Sequence, residues 1–438
     1  MLALDLRQAG AARLRGALLS VAAGGRLLGV GHRSSGLRPR HAVAGLLLLA
    51  SALNFFDRQV LSVLAPAITA ELGMSNAEYS YVTAAFTLSY GVMFLLGGRL
   101  IDALGTRAGM GLAVSFWSLA SLLHCVATGP LQLGLFRFLL GVGEGGGFPG
   151  AAKGVAEWFP PRERALGMGL ATTAGSALGA VAAPPLIVWT ALTVGWRGAF
   201  VLTGVVGALW TAAWFVLFRR LESPVVARGA APSSTSLRGL LADPSLRRLA
   251  LARFCFDPVF YFYMFWIPQY LSQEHGASLE RIGELTWIPF LSLGAASVLA
   301  GVLSSALLRR GWSLVAARRR TMIAAALLTP ASILAIVGGD ALSAIGLLSV
   351  LLFAHGFWMT NYMALCSDLF PAAQVATAVG LTGAVGGLGG VLFNLGAGQT
   401  IDAVGYAPAI VLCGCAYLVA LALLLPTLRV EPIEEGLA

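Results

Sequence analysis

The sequence predicts an all-α polytopic membrane protein with twelve transmembrane helices in two pseudo-symmetric six-helix bundles. Three observations lead there. The 438 residues are 58% hydrophobic and 11% charged, with a mean hydropathy of +0.81, whereas a soluble domain carries about 25% charged residues. Apolar runs recur near residues 41–64, 78–98, 108–128, 131–152, 165–192, 197–218, 247–271, 284–307, 321–338, 341–366, 375–399 and 405–426. Each is long enough for a helix to cross roughly 30 Å of hydrocarbon. With the N-terminus placed inside, all but four of the 29 Lys and Arg residues fall in inner loops and tails. The exceptions are Arg197 and Arg281 outside and Arg58 and Arg137 within spans. The positive-inside rule then puts both termini in the cytoplasm of a cell whose inner, plasma membrane holds the chain. The net charge of +9 is therefore a topology signal and does not point to nucleic acid.

Taken in order, residues 1–40 read as a basic, disordered cytoplasmic tail. Their short apolar stretch, Ala17 to Ala23, runs into Arg26, which argues against a cleaved signal. Residues 41–218 form the first six-helix bundle. Residues 219–246, rich in Pro, Ser and Ala with scattered Arg, have the composition of a linker. Residues 247–426 form the second bundle and 427–438 a cytoplasmic tail. The halves echo one another: Gly167-Met168-Gly169 to Gly175-Ser176-Ala177-Leu178-Gly179 in the fifth span matches the glycine-rich run Gly380 to Gly390 in the eleventh. Such duplication is the plan of rocking-bundle transporters, with substrate held near the midplane between the halves. The run at 386–390 follows no strand and precedes no Lys, so it reads as close helix packing and not as a phosphate loop. Cys125, Cys255, Cys366, Cys413 and Cys415 lie in apolar spans, without the four-ligand spacing of a zinc site. No metal and no cofactor is expected, and the absence of a nucleophile–base set argues against an enzyme.

Two ionisable clusters interrupt this hydrocarbon. Asp57-Arg58 lies in the first span and Arg137 with Glu144 in the fourth. A charge at mid-membrane costs from a few to roughly ten or more kcal/mol unless it is paired or faces a wet cavity. Asp57 and Arg58 point about 100° apart on a helix. Arg137 and Glu144 are two turns, about 10.5 Å, apart on one face, and Gly141 and Gly145 keep that face slim. The set holds two cations and two anions, so the empty site can be neutral. An incoming carboxylate makes it −1, and protonating one acid restores neutrality. Burial disfavours a carboxylate's charge and a nearby guanidinium favours it. Moving Arg58 onto the substrate would therefore release an acid to take up a proton. The expected partners are a small organic anion, protons and the lipid bilayer, with a monomer as the working unit.

Gly98-Arg99-Leu100-Ile101-Asp102-Ala103-Leu104-Gly105-Thr106-Arg107 resembles the loop between spans two and three of the major facilitator superfamily. Asn54-Phe55-Phe56-Asp57-Arg58-Gln59, the series Arg137, Gly141, Glu144-Gly145 and Phe148-Pro149, and Glu157 through Ala165 resemble its anion:cation symporter family. So do Asp257-Pro258 with Phe265-Trp266-Ile267-Pro268-Gln269-Tyr270-Leu271, and Asp368-Leu369-Phe370-Pro371. Within that family the motifs resemble the hexuronate branch, with galactonate transporters as relatives, over roughly residues 41–426. The resemblance implies that Arg58 holds the substrate carboxylate, Asp57 and Glu144 carry protons, Arg137 partners Glu144, and Tyr90 faces the substrate. It also implies gating by Arg99, Asp102 and Arg107, with Asp102 bracing the outward-open state against a helix end of the other half. Ser305 stands where the matching loop of the second half usually has Asp.

Departures from the branch concern specificity. Phe55 replaces a usual Tyr, while Gly147, Thr173 and Ala177 replace usual Asn residues. A polyhydroxylated acid would lose hydrogen bonds worth about 0.5–1.5 kcal/mol each. The expected substrate is thus a sugar acid or a simpler carboxylate, met by Phe55 and Thr173 and, in the second half, by Thr382 and Asn394. Two other readings stay open: an exporter of the same fold, which has less need for paired Arg in spans one and four, and a transporter-like sensor of sugar acids.

Overall fold

Backbone N–H and C=O groups in hydrocarbon must be satisfied within their own segment, and all regular structure among the described residues is helical. The computed structural model describes residues 39–160, 163–220, 237–337 and 339–429. Nearly all of the expected basic tail, most of the linker, Pro161-Arg162 and the last residues of the C-terminal tail lie outside that set.

The first half comprises α1 (Pro39–Val63), α2 (Ala65–Leu72), α3 (Asn76–Leu123), α4 (Pro130–Glu144), α5 (Gly147–Trp158), α6 (Arg164–Met168), a π-helical turn (Gly169–Ala174) and α7 (Gly175–Arg220). The second comprises α8 (Leu237–Ala242), α9 (Pro244–His275), α10 (Leu279–Leu285), α11 (Ile288–Arg309), α12 (Leu314–Leu328) with a 3-10 continuation (Thr329–Val337), α13 (Ala341–Leu369), α14 (Ala372–Val404) and α15 (Ala407–Leu424). Eight helical stretches among the described residues are long and apolar enough to cross a membrane. Two of these, Asn76–Val126 and Leu166–Arg219, run to 51 and 54 residues, more than twice the ~20 that one crossing needs. Each holds two expected spans joined at a glycine with positive φ, Gly105 at 75° and Gly195 at 79°, a conformation in which a Cβ would clash. The fourth span is split at Gly145-Gly146, and the seventh, α9, carries Arg253 and Asp257 inside its apolar run. Both occupy the expected positions.

Gly311 and Gly405, with φ of 81° and 80°, turn the chain after the eighth and eleventh spans as Gly105 and Gly195 do after the second and fifth. The same kind of turn thus recurs at matching places in the two halves of the chain. Side-chain caps close the helix starts. Ser75 and Glu78 form a reciprocal capping box on α3, and Asp243, Ser278, Ser313 and Asp340 cap α9, α10, α12 and α13. Each cap stabilises its helix by about 1 kcal/mol.

Glycine sets how closely the helices approach. A Cβ at Gly141 would lie 2.1 Å from Ser89 Oγ and 2.6 Å from the Phe86 carbonyl oxygen. One at Gly143 would lie 2.7 Å from Trp117 Cβ, and one at Gly145 2.5 Å from Met93 Cβ. The end of α4 is thus clasped between the two limbs of α3. In the second half, a Cβ at Gly389 would meet the Phe254 carbonyl oxygen at 2.5 Å. That carbonyl is the one left unpaired because Pro258 has no N–H, and α14 covers it. The run at 386–390 serves helix packing, as its setting implies. Away from these contacts, Leu209, Val298 and Leu327 stand 66%, 63% and 65% exposed, as side chains facing lipid do.

Candidate functional site

Asp57 and Arg58 diverge as adjacent helical residues must. Arg58, 3% exposed, donates from Nε to Glu144 Oε2 at 2.6 Å. Its guanidinium carbon lies 4.3 Å from the centre of the Tyr90 ring, 5.1 Å from that of Phe55 and 5.5 Å from that of Phe86. The aromatic faces supply attraction without a competing hydrogen-bond acceptor. Asp57, fully buried, turns the other way and accepts from Ser121 Oγ at 2.8 Å. Arg137, equally buried, reaches the backbone oxygen of Asp57 from Nη1 at 3.5 Å.

One pairing differs from the resemblance. Glu144 is bonded to Arg58 and not to Arg137. The reason is geometric: residues seven apart on α4 sit two turns from each other, while the glycines at 141 and 145 draw α4 onto the limb of α3 that carries Phe86 and Tyr90, beside Arg58. Arg58 Nη2, Glu144 Oε1, Asp57 Oδ2 and both Asn54 amide atoms are buried and have no hydrogen-bond partner within the protein. Polar capacity left open at the centre of a membrane bundle is costly.

The junction of the halves runs past this pair. One turn beyond Arg58, Ser62 Oγ donates to the Met264 carbonyl oxygen at 2.5 Å, and Tyr79 Oη donates to that of Phe265 at 2.8 Å. Phe86 packs edge-on against Phe265 across the same seam. At the end of the bundle holding residues 73–75 and 402–406, Asp402 of α14 accepts from Asn76 N at 3.1 Å, Asn76 Nδ2 at 2.9 Å and Ala77 N at 2.8 Å. A C-half carboxylate thus caps an N-half helix, where the helix dipole favours negative charge. At the opposite end Asp102 is exposed and accepts from Lys153 Nζ of its own half at 2.8 Å. Arg99 and Arg107 are exposed, and the Arg107 carbonyl accepts from Trp214 Nε1.

The remaining candidates are spread more widely. Tyr90 and Phe55 flank Arg58. Thr173 lies exposed in the π-helical turn. Thr382, buried, lies 3.4 Å from Arg253 Nη1. Asn394 accepts from Trp266 Nε1 at 2.9 Å and donates to the Gly390 carbonyl oxygen at 2.8 Å, so a substrate would have to displace one of these bonds.

Sequence reasoning missed a second buried ion pair. Arg253, counted among the cytoplasmic cations, is 7% exposed in α9 and donates from Nε to Asp257 Oδ2 at 2.8 Å. It also reaches the Val379 carbonyl oxygen of α14 at 3.3 Å. The signal was present as an Arg and an Asp four apart, one helical turn, inside an apolar run. Tyr261, one turn beyond Asp257, stacks on Phe265.

Comparison with known proteins extends this geometry. The chain is 28% identical to the D-galactonate transporter of Escherichia coli O6:H1 strain CFT073, over 85% of this chain and 92% of that protein. It is also 28% identical to the hexuronate transporter of Escherichia coli K12, over 84% of this chain and 89% of that protein. A crystal structure of a D-xylose-proton symporter superposes with a TM-score of 0.72 at 13% identity, covering 87% of this chain and 97% of that one, a likeness of fold. The sequence profile of the Major Facilitator Superfamily matches residues 47–394 and 249–436. With a helical bundle of this fold, the chain belongs to the Major Facilitator Superfamily and is a multi-pass membrane transporter.

Proposed function

We propose that the protein imports an organic anion by proton symport and alternating access, carrying a sugar acid or a simpler carboxylate. The observation that carries this reading is the buried Arg58–Glu144 pair at 2.6 Å, whose outer atoms lack partners. A substrate carboxylate entering the site takes the guanidinium from Glu144. Left without its cation, Glu144 keeps its charge only at the cost of burial. Taking up a proton removes that cost and returns the site to neutrality. On the other side of the membrane the steps reverse: Glu144 loses its proton, recovers Arg58 and expels the anion. Arg137, held on the Asp57 carbonyl, offsets the remaining acid. Asp57 is the second proton carrier.

The two curated relatives support the anion class, since their names give galactonate and hexuronate as cargo. The same reading places both termini in the cytoplasm of the plasma membrane, so the Asp402–Asn76 cap lies at the outer end and Asp102 at the inner. In this reading the outer latch is shut while Asp102 bonds Lys153 of its own half. Arg99, Asp102 and Arg107 then gate the inner end when the bundle rocks. The working unit in this reading is a monomer.

Glu144→Gln tests the exchange of partners. The amide still accepts a hydrogen bond from Arg58 but carries no titratable proton. In proteoliposomes the variant is expected to retain substrate counterflow and to lose accumulation driven by an inward proton gradient. Undiminished gradient-driven accumulation would remove Glu144 from the coupling step.

A further inference from the structure

Asp57 presents a difficulty for any symport scheme, because it is fully buried and turned away from the seam that Arg58 faces. The structure supplies a line of groups behind it. Ser121 Oγ of α3 donates to Asp57 Oδ1 at 2.8 Å and stands 2.8 Å from Thr203 Oγ1 of α7. One turn farther, at the C-cap of α3, His124 is buried and stacked on Phe200 of α7 at 4.7 Å between ring centres. Its Nδ1 lies 2.8 Å from the Ala120 carbonyl oxygen and 3.2 Å from that of Ser121, so Nδ1 carries the proton and Nε2 presents a lone pair. That Nε2 is buried and has no partner. Just beyond it lies the end of the bundle where Arg197 holds both Glu71, at 2.5 Å, and the Ala127 carbonyl oxygen, at 3.3 Å. The groups around Asp57 are thus Ser121 from α3, Thr203 from α7, Arg137 and Glu144 from α4 and Arg58 from its own helix.

We propose that protons reach Asp57 through the interior of the amino-terminal bundle, past His124 and along the hydroxyls of Thr203 and Ser121, while the substrate uses the seam between the halves. This rests on the symport reading. A hydronium ion from the outer aqueous phase is the proton source, and Thr203 Oγ1 is the first hydroxyl it meets on the way to Asp57. Thr203 Oγ1, which otherwise donates to the Phe200 carbonyl oxygen at 3.1 Å, turns to Ser121 and gains the hydronium's proton as it passes its own to Ser121 Oγ, which passes its own to the Asp57 carboxylate. Both hydroxyls end as they began. The net change is one hydronium converted to water and one carboxylate to a carboxylic acid. The separation gives each cargo its own path: an anion drawn toward Arg58 does not have to share a channel with the cation that neutralises it.

The test uses the full chain in proteoliposomes and reads two modes of transport, uptake driven by an inward proton gradient and counterflow exchange at equal pH. Ser121→Ala and Thr203→Val are each expected to slow gradient-driven uptake about tenfold or more while exchange stays within about twofold of the parent. Thr203→Ser, which restores the hydroxyl, is expected to recover the gradient-driven rate. Retained exchange shows that the variants fold. Unchanged gradient-driven uptake in both Ser121→Ala and Thr203→Val overturns the relay. A parallel loss of both modes, not rescued by Thr203→Ser, overturns it as well, because the hydroxyls would then only hold helices together. A parent protein that ignores the proton gradient refutes the symport reading itself.

Discussion

At the scale of single residues, the centre depends on what a guanidinium can do that an ammonium cannot. Arg58 meets Glu144 along one edge and Tyr90 across its face, and its planar fork can hold a substrate carboxylate through two parallel hydrogen bonds. Arg58→Lys is therefore expected to weaken substrate binding at least about tenfold, or ~1.4 kcal/mol. Competition against a labelled carboxylate measures it, and near-parental affinity would show that Arg58 does not touch the substrate. The charged residues of spans one and four were legible in the sequence because intramembrane charge is too costly to keep without a use. Arg253 was not, since Arg247 and Arg248 precede it and made it look like the tail of a cytoplasmic cluster. Nor was Ser121, because a serine can satisfy itself on its own helix and raises no alarm in an apolar run. The partner of Glu144 also escaped sequence reasoning: spacing along one helix shows which residues share a face, and not which neighbouring helix arrives there.

At the scale of helices, small residues decide how near the charges come. Gly141 allows α4 to lie against the Phe86 to Tyr90 stretch of α3, where a Cβ would stand 2.1 Å from Ser89 Oγ, 2.6 Å from the Phe86 carbonyl oxygen and 3.0 Å from Tyr90 N. Backbone atoms cannot yield as a flexible side chain does. Gly141→Ala is therefore expected to destabilise the protein by about 1–3 kcal/mol, despite the ~1 kcal/mol that alanine gains over glycine inside a helix. At Gly147 the nearest atoms to a new Cβ are Trp117 Cζ3 at 3.5 Å and Asn54 Nδ2 at 4.0 Å, which is ordinary contact, so Gly147→Ala is expected to be neutral or stabilising. Thermal unfolding of both variants in detergent distinguishes the two positions, and equal shifts would contradict this account of packing. The positions of the spans were legible from hydropathy alone. The interruptions were not: the break at Gly145-Gly146, the π-helical turn at Gly169–Ala174 and the 3-10 stretch at Thr329–Val337 come from tertiary contacts and leave no change in local hydropathy.

At the scale of the molecule, the chain repeats one device at two ends. Asp102-Ala103-Leu104-Gly105 closes the second span, and Asp402-Ala403-Val404-Gly405 closes the eleventh. In this conformation Asp402 caps α3 across the halves while Asp102 stays within its own. In the proposed alternating-access cycle the two halves would exchange one latch for the other as they rock around a fixed centre. The two-bundle plan was readable in the echo of glycine-rich fifth helices. The recurrence of one turn at matching places required the backbone, where Gly105, Gly195, Gly311 and Gly405 share φ between 75° and 81°. All of this serves a single claim, that anion entry and proton entry are obligatorily linked at the Arg58–Glu144 pair. Purified protein in proteoliposomes containing a pH-sensitive dye tests it most directly, with galactonate, galacturonate and simpler carboxylates offered under an inward proton gradient. The account predicts that a carboxylate accumulates only while the gradient lasts, and that its entry acidifies the lumen in step. Accumulation that proceeds equally without the gradient, or carboxylate entry with no acidification, would contradict it.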